Sequence, residues 1–296
     1  MALSDVDLAR VRRVAIEATE AAGALLRARA GNGFTITAKG AGDVVTDLDV
    51  AAERVIVAKI RASFPGHRII TEEAGVLGPD SRYCWLVDPL DGTNNLAIGL
   101  PAYAVGVALC DHRLPVVTAI HEPVASRTWS AIRGRGAWGP DGGRLHRHSD
   151  RPRARPLLAW TQGYRVAADD HTAAALRLLA DRNSARMLQL WAPLLCWTML
   201  ARGDVDGLVG YRVGELDLHP GALLAVEAGL VLRDMSGAPF DVRLTGLEES
   251  RSLVAAPADE VPRLVALAAA ARRVAPAVGD VWTASRTVGR AVRVTA

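Results

Sequence analysis

Residues 85–95 read Trp-Leu-Val-Asp-Pro-Leu-Asp-Gly-Thr-Asn-Asn, so an apolar strand runs directly into two carboxylates. Pro89 restricts the backbone and biases Asp88 toward an extended conformation. The carboxylates of Asp88 and Asp91 and the carbonyl of Leu90 can therefore converge on one hard cation, which prefers oxygen ligands. This stretch predicts a cation site at the end of a strand.

The two residues that follow predict an anion site beside it. If a helix begins at Gly92 and Thr93, their backbone amides have no intrahelical partner and can bind a phosphate oxygen. Asp-Pro and Asp-Gly are also ordinary turn sequences, so the stretch alone leaves a structural alternative open.

Three other segments carry acids that bear on this alternative. Residues 43–49 contain three aspartates, residues 70–73 place two glutamates after a short apolar strand, and residues 215–217 read Glu-Leu-Asp before an apolar helix. Each segment alone is compatible with a helix cap or a solvated surface. Together they indicate a carboxylate cluster, which destabilises a fold unless a cation is bound.

These four segments, in this order, resemble the inositol monophosphatase superfamily. Its members show a DxVTxxD segment, a GEE-like pair, a W[IV]xDPxDGTxNF block and a late WDxAA…EAG block, and the match covers residues 5–272. The resemblance implies a fold of mixed α+β and α/β type, a layered α-β-α-β-α sandwich as in sugar phosphatases. It also implies lithium sensitivity and a homodimer.

Carried over residue by residue, the resemblance implies a set of roles. About two or three Mg²⁺ ions would be bound by oxygen ligands. Asp49 and Thr93 resemble the pair that orients and deprotonates a metal-bound water, and Glu72 is also a catalytic candidate. Gly92, Thr93 and Asp91 would contact the phosphate, and Lys39 lies where family members often place a lysine near the metals. The implied metal ligands are Glu72, Asp88, the Leu90 carbonyl, Asp91 and Asp217.

The side expected to face the alcohol departs from the family pattern. Leu216 replaces the tryptophan before the late aspartate, residues 189–193 replace a glycine-serine or glycine-threonine turn, and Gly210 stands where inositol-selective members carry a glutamate. We predict that Trp191 and His219 shape a pocket for an alcohol other than inositol, since Trp offers a flat face and His can hydrogen bond. The alternative is that Trp191 packs in a core or interface and His219 is structural.

The sequence therefore predicts an enzyme that hydrolyses a small phosphate monoester with Mg²⁺ and a metal-activated water. The candidate substrates are sugar, inositol, histidinol and nucleotide phosphates. A bisphosphatase acting on fructose 1,6-bisphosphate or a 3′-phosphoadenosine nucleotide is the alternative, with Arg165, Arg186 or Arg212 for the second phosphate. A non-catalytic metal-binding scaffold is a third hypothesis.

The bulk composition bears on partners and location. The chain has 296 residues and a formal net charge of only +3, and its arginines are scattered rather than gathered in a run. We expect no nucleic-acid or membrane partner, and a cytoplasmic location because the first residues lack an apolar leader core. Cys84, Cys110 and Cys196 are widely spaced in apolar segments, which predicts buried thiols.

Apolar periodicity predicts the order of elements. An N-terminal α+β half, residues 1–150, carries most metal ligands, an α/β half, residues 151–274, completes the site, and residues 275–296 form a tail of unknown order. A Gly- and Arg-rich hairpin is expected at 133–144. The predicted helices are 5–29, 49–63, 168–182, 191–202 and 218–229, and the predicted strands are 68–71, 83–87, 103–110, 115–120, 156–160, 186–190, 205–210 and 230–234.

Overall fold

The structure is a computed structural model that describes residues 4–40, 42–145, 155–246 and 249–292. The helices are α1 Asp5–Arg29, α2 Asp47–Ser63, α3 Thr93–Ala97, α4 His171–Asn183, α5 Pro193–Arg202, α6 Glu215–Glu227 and α7 Val261–Val292. The strands are β1 Ile36–Gly40, β2 Asp43–Thr46, β3 Arg68–Thr71, β4 Val76–Leu77, β5 Tyr83–Asp91, β6 Ala104–Asp111, β7 Leu114–Glu122, β8 Arg127–Ile132, β9 Gly136–Trp138, β10 Leu157–Gln162, β11 Arg186–Leu188, β12 Gly207–Val213, β13 Val231–Asp234 and β14 Arg251–Ala256.

Two sheets organise the chain. The larger has seven strands in the order β4-β3-β5-β6-β7-β8-β9, and the smaller has five in the order β11-β10-β12-β14-β13. All pairs of the larger sheet are antiparallel except β3 with β5. β1 and β2 form a separate hairpin.

Helices cover the larger sheet on one face. α1 begins with a capping box between Ser4 and Asp7, which satisfies amides that the helix leaves unpaired. Its small residues Ala15 and Ala18 recur at helical spacing and are fully buried with Ile56 of α2 against the sheet. This amphipathic pattern explains why α1 and α2 form the outer layer.

α5 and α6 fill the space between the two sheets, so their surroundings are apolar on both sides. Leu194 and Leu223 pack with Trp129 of the larger sheet, whereas Trp197 and Ala222 pack with strands of the smaller one. α4 and α7 cover the far face of the smaller sheet. The predicted layered α-β-α-β-α architecture is confirmed.

Several local features differ from the sequence prediction. The sequence analysis did not predict the β1–β2 hairpin, β4, β8 or β14. β4 is a two-residue edge strand, whereas β8 and β14 are six-residue inner strands. α7 continues through the segment predicted as a tail to Val292. The three cysteines are buried and free, as predicted. The division into halves stays a prediction, and its boundary at 150/151 and the last residues, 293–296, lie outside the described residues.

Candidate active site

The acids predicted from four separate segments are brought to one edge of the larger sheet. β3 and β5 are parallel neighbours, and the carboxyl ends of parallel strands meet at the same edge. Glu72 directly follows β3, and Asp88 and Asp91 end β5. Asp217 lies in the first turn of α6 and interacts electrostatically with Asp88 and Asp91.

A break in strand pairing shapes this edge. The register between β5 and β6 shifts between Asp88 and Asp91, so the strand bulges and redirects its side chains. The Leu90 amide donates to Asp88 Oδ1 (3.2 Å), and the Leu194 amide of α5 donates to Asp91 Oδ2 (2.6 Å). Both carboxylates are thus fixed by backbone amides, which leaves an oxygen of each for another partner.

The electrostatics of the four carboxylates are unusual. Burial, together with the charges of Glu72, Asp91 and Asp217, raises the pKa of Asp88 well above its usual range. Burial and Asp217 do the same to the pKa of Asp91. Burial also raises the pKa of Asp217 to about 7 and that of Glu72 to about 7, the latter against the attraction of Lys39. Four acids therefore repel one another without full internal compensation.

This donor set fits a hard divalent cation. It consists only of oxygen, which favours Mg²⁺ over zinc, and its mutual repulsion is what a bound cation relieves. In the portion of the chain that the structure describes, no three His, Cys, Asp or Glu side chains are already close enough to hold an ion.

Asp49 and Thr93 form a buried pair beside these acids. Thr93 Oγ1 lies 2.8 Å from Asp49 Oδ1 and 2.9 Å from the carbonyl oxygen of Leu90, and its single proton can go to either. Thr46 donates to Asp49 Oδ2 from its amide (2.8 Å) and its hydroxyl (2.5 Å), as the capping box of α2. Burial nonetheless raises the pKa of Asp49, so this carboxylate can take up a proton.

Lys39 forms ion pairs with two glutamates at this edge. Its Nζ donates to Glu72 Oε1 (3.0 Å) and Glu73 Oε1 (2.5 Å) from the β1–β2 hairpin. Burial by itself would lower the pKa of Lys39, but the two glutamates outweigh it and the pKa is raised. The hairpin thereby reaches across to the edge that carries Glu72.

Gly92 has no room for a side chain. It has a φ of +98° and precedes α3, a conformation that favours glycine. A Cβ there would meet the carbonyl oxygen of Ala102 at 3.0 Å and Ala192 Cβ at 3.1 Å. These close contacts hold the turn before α3, where the sequence predicts the amides that bind a phosphate.

The two residues predicted for the alcohol side differ in their placement. Trp191 is 53 % exposed and stands directly before α5. The structure corrects the assignment of His219 to the pocket: its side chain is fully buried, and Nε2 lies 2.6 Å from Glu215 Oε2. Because Glu215 is one turn earlier on α6, the imidazole shares a helix face with it and not with Asp217.

Two further residues of the site were not predicted from the sequence. Glu53, which is buried, accepts from the amides of Glu73 (2.9 Å) and Ala74 (3.1 Å) and so holds the turn that presents Glu72. Its position one helical turn after Asp49 was a usable signal. Tyr164 places its hydroxyl 3.4 Å from Asn94 Nδ2, and a lone tyrosine in a loop gave no sequence signal.

Comparison with known proteins decides the family. The model of the inositol monophosphatase family matches residues 7–273. The chain belongs to this family. Inositol monophosphatase 1 from Solanum lycopersicum is 31% identical over 236 residues, 77% of this chain and 86% of the relative. Nus factor SuhB from Escherichia coli K12 is 34% identical over 211 residues, 70% and 78% of the two chains.

Solved structures of the family agree with the fold. The extragenic suppressor protein SuhB from Bartonella henselae superposes with a TM-score of 0.79 at 25% identity, covering 88% of this chain and 98% of that chain. Membership in the inositol monophosphatase family supports phosphatase activity and metal dependence. Among the described residues, none of the helices is both long and apolar enough to cross a bilayer.

Proposed function

We propose that the chain hydrolyses a small phosphate monoester with the help of Mg²⁺. The observation that carries the proposal is the group of four neighbouring carboxylates with raised pKa values. Such a cluster weakens the fold without a cation, and a cation beside phosphate-binding amides suits phosphoryl transfer.

The residues that would hold the metal are Glu72, Asp88, Asp91, Asp217 and the carbonyl of Leu90. Bound Mg²⁺ would stabilise the charge that develops on the attacking and leaving oxygens. The amides of Leu90 and Leu194 keep Asp88 and Asp91 in place for this task.

Asp49 and Thr93 would remove the proton from the attacking water. The water would donate to Thr93 Oγ1, which in turn donates to Asp49 Oδ1 across 2.8 Å. The raised pKa of Asp49 favours its acceptance of that proton, as general-base catalysis near neutral pH requires.

The phosphate would bind between the metal ligands and the start of α3. The amides of Gly92 and Thr93 would donate to its oxygens, and Lys39 would add a positive charge from the β1–β2 hairpin. Glycine suits this position because its φ is positive and a side chain would be crowded by Ala102 and Ala192.

Phosphate release is the test. Wild type, Asp91→Asn and the surface control Asp80→Asn, whose side chain is 94% exposed, are compared on sugar, inositol, histidinol and nucleotide phosphates with Mg²⁺ or EDTA. We expect turnover of at least one ester with Mg²⁺, its loss with EDTA and in Asp91→Asn, and its retention in Asp80→Asn. Mg²⁺-independent turnover, or full activity of Asp91→Asn, would contradict the proposal.

A binding role is the second candidate, because relatives at 34% identity are named Nus factors. Silence across the substrate panel together with Mg²⁺-dependent thermal stabilisation would favour that role. The bisphosphatase alternative has weaker support, since Arg212 already faces Asp170 at 3.8 Å. The homodimer stays a prediction, which light scattering of the purified chain tests.

A further inference from the structure

Two half-exposed aromatic residues lie in chain segments that contact α3. Trp191 is 53% exposed and Tyr164 is 49% exposed. Neither has a role in the hydrolysis proposed above. Their exposure beside a polar, charged site calls for an explanation, because flat aromatic surfaces gain free energy when a ligand covers them.

Trp191 is held next to the proposed phosphate site by its backbone neighbours. Ala192 Cβ would lie 3.1 Å from a Cβ on Gly92, and the Leu194 amide donates to Asp91. Asn95 Nδ2 also donates to the carbonyl oxygen of Leu190. Trp191 therefore lies within a segment, residues 190–194, that these three contacts hold against residues 91–95.

The backbone of Trp191 is strained. Its φ of +54° lies in the left-handed region, which a bulky residue rarely adopts. Strain of this kind persists where surrounding contacts impose it and clusters at binding sites. The strained backbone presents an indole to solvent rather than to a core.

Tyr164 approaches α3 from the side of the smaller sheet. It follows β10, and its hydroxyl lies 3.4 Å from Asn94 Nδ2. Burial raises the pKa of Tyr164, and the charges of Asp43, Asp91 and Glu72 raise it further. The hydroxyl end therefore lies beside α3, while part of the ring remains accessible.

Gly210 on β12 is closely surrounded by side chains. A Cβ on Gly210 would meet Leu253 at 3.1 Å, Val213 at 3.2 Å and Thr161 at 3.4 Å. A longer acidic side chain would have to displace these neighbours. This position therefore provides no hydroxyl-binding group for a polyol, which needs its hydroxyls paired.

We propose that Tyr164 and Trp191 select phosphate monoesters whose alcohol carries a flat aromatic ring, such as a nucleoside, over polyol phosphates. The inference rests on the proposed phosphatase function and specifies its substrate class. Stacking on an aromatic side chain strengthens binding of a flat ring roughly tenfold or more. A sugar or polyol phosphate would gain little from the same surfaces.

Two matched substrate pairs test this selection by kcat/KM. Adenosine 5′-monophosphate and ribose 5-phosphate differ by the base, and benzyl and cyclohexylmethyl phosphate differ by ring planarity; within each pair the leaving group is a primary alkoxide. We expect the aromatic member of each pair to be preferred by about tenfold or more. A preference within the nucleotide pair alone would identify the base as the feature recognised. A preference within both pairs would identify ring planarity. Either result supports the inference.

The variants are Trp191→Gly, Tyr164→Ala and the ring-retaining Tyr164→Phe, with Leu178→Ala as an exposed apolar control on α4. Trp191→Gly also relieves the positive φ, so its folding is not at risk. We expect Trp191→Gly and Tyr164→Ala to lower kcat/KM for the aromatic esters about tenfold and to leave ribose 5-phosphate within about twofold. Tyr164→Phe and the control should retain the wild-type preference.

The outcomes separate two failures. Equal kcat/KM within both pairs, or a preference unchanged in both ring-removing variants, would overturn the inference while leaving the phosphatase proposal intact. No Mg²⁺-dependent turnover of any of the four esters by folded wild type would overturn the proposed function and this inference with it.

Discussion

Glu215 and Asp217 stand two residues apart at the start of α6 and have opposite environments. The Glu215 carboxylate lies 2.6 Å from His219 Nε2 and 2.9 Å from Arg251 Nε, and it accepts from the Thr245 amide (3.1 Å) and hydroxyl (3.0 Å). Burial would raise its pKa, but these partners outweigh burial and lower it. Among the described residues Asp217 has no cationic partner, and burial raises its pKa to about 7.

The difference separates a structural carboxylate from a functional one. Residues two apart lie on opposite faces of a helix, so Glu215 faces the chain segment that carries Thr245 and Arg251 while Asp217 faces Asp91. Glu215 is compensated inside the fold and holds α6 in place. Asp217 is left for a partner from outside the chain, which we propose is Mg²⁺.

The largest expected effect follows from removing the uncompensated charge. Asp217→Asn should lower kcat/KM by at least about 10²- to 10³-fold, because the charge stabilisation that Mg²⁺ supplies in the transition state is weakened. The same change should raise the melting temperature in EDTA, since it removes repulsion with Asp88 and Asp91. Phosphate release and thermal unfolding measure the two effects, and a variant both active and less stable would break the comparison.

Removing the compensated charge should act in the opposite direction. Glu215→Gln removes the anionic partner of the partly buried Arg251 and should lower the free energy of unfolding by about 3 kcal/mol, measured by urea denaturation. The loss should persist with or without Mg²⁺. If Glu215→Gln instead raised stability in EDTA as Asp217→Asn should, the two carboxylates would not differ in role.

Thr93 tests the proposed transfer of a proton from water to Asp49. Thr93→Val keeps the shape but removes the hydroxyl between the water and Asp49, and should lower kcat about 10²-fold with KM nearly unchanged. Thr93→Ser should restore much of kcat. A change in KM with kcat unchanged in Thr93→Val, or no recovery of kcat in Thr93→Ser, would assign Thr93 a packing role.

The pH dependence of stability follows from the raised pKa values. Asp217 and Glu72 have folded-state pKa values of about 7, above the unfolded values near 4. Their neutral forms contribute stability that is full below about pH 4 and is lost as pH rises through about 7. In EDTA the melting temperature should therefore fall between about pH 4 and pH 7 and level off above, and saturating Mg²⁺ should largely remove this fall. A flat profile in EDTA would show that the cluster is not strained.

Much of the fold and of the site could be predicted from local patterns. The apolar spacing of α1, the Ser4 cap and the strand leading to Asp88 are each encoded within a few residues, and all are found in the structure. The order of the four acidic segments identified the family, since that order depends on sequence alone.

His219, Tyr164 and Glu53 could not be assigned in the same way. Their roles depend on partners far along the chain, such as Asn94, 70 residues from Tyr164, or on which face of a helix meets which neighbour. The β1–β2 hairpin is similar, because β1 is exposed along its whole length and carries little apolar signal, yet it brings Lys39 to Glu72.

The sequence by itself determined the family, the layered architecture and which acids are candidates for one site, because these follow from short motifs and apolar periods. Only the tertiary structure decided which carboxylates are compensated and which aromatic rings are left exposed. The physical reason is that pairing and burial are properties of contacts between distant segments. Glu215 and Asp217 differ by two positions in the chain, and only their neighbours in space separate them.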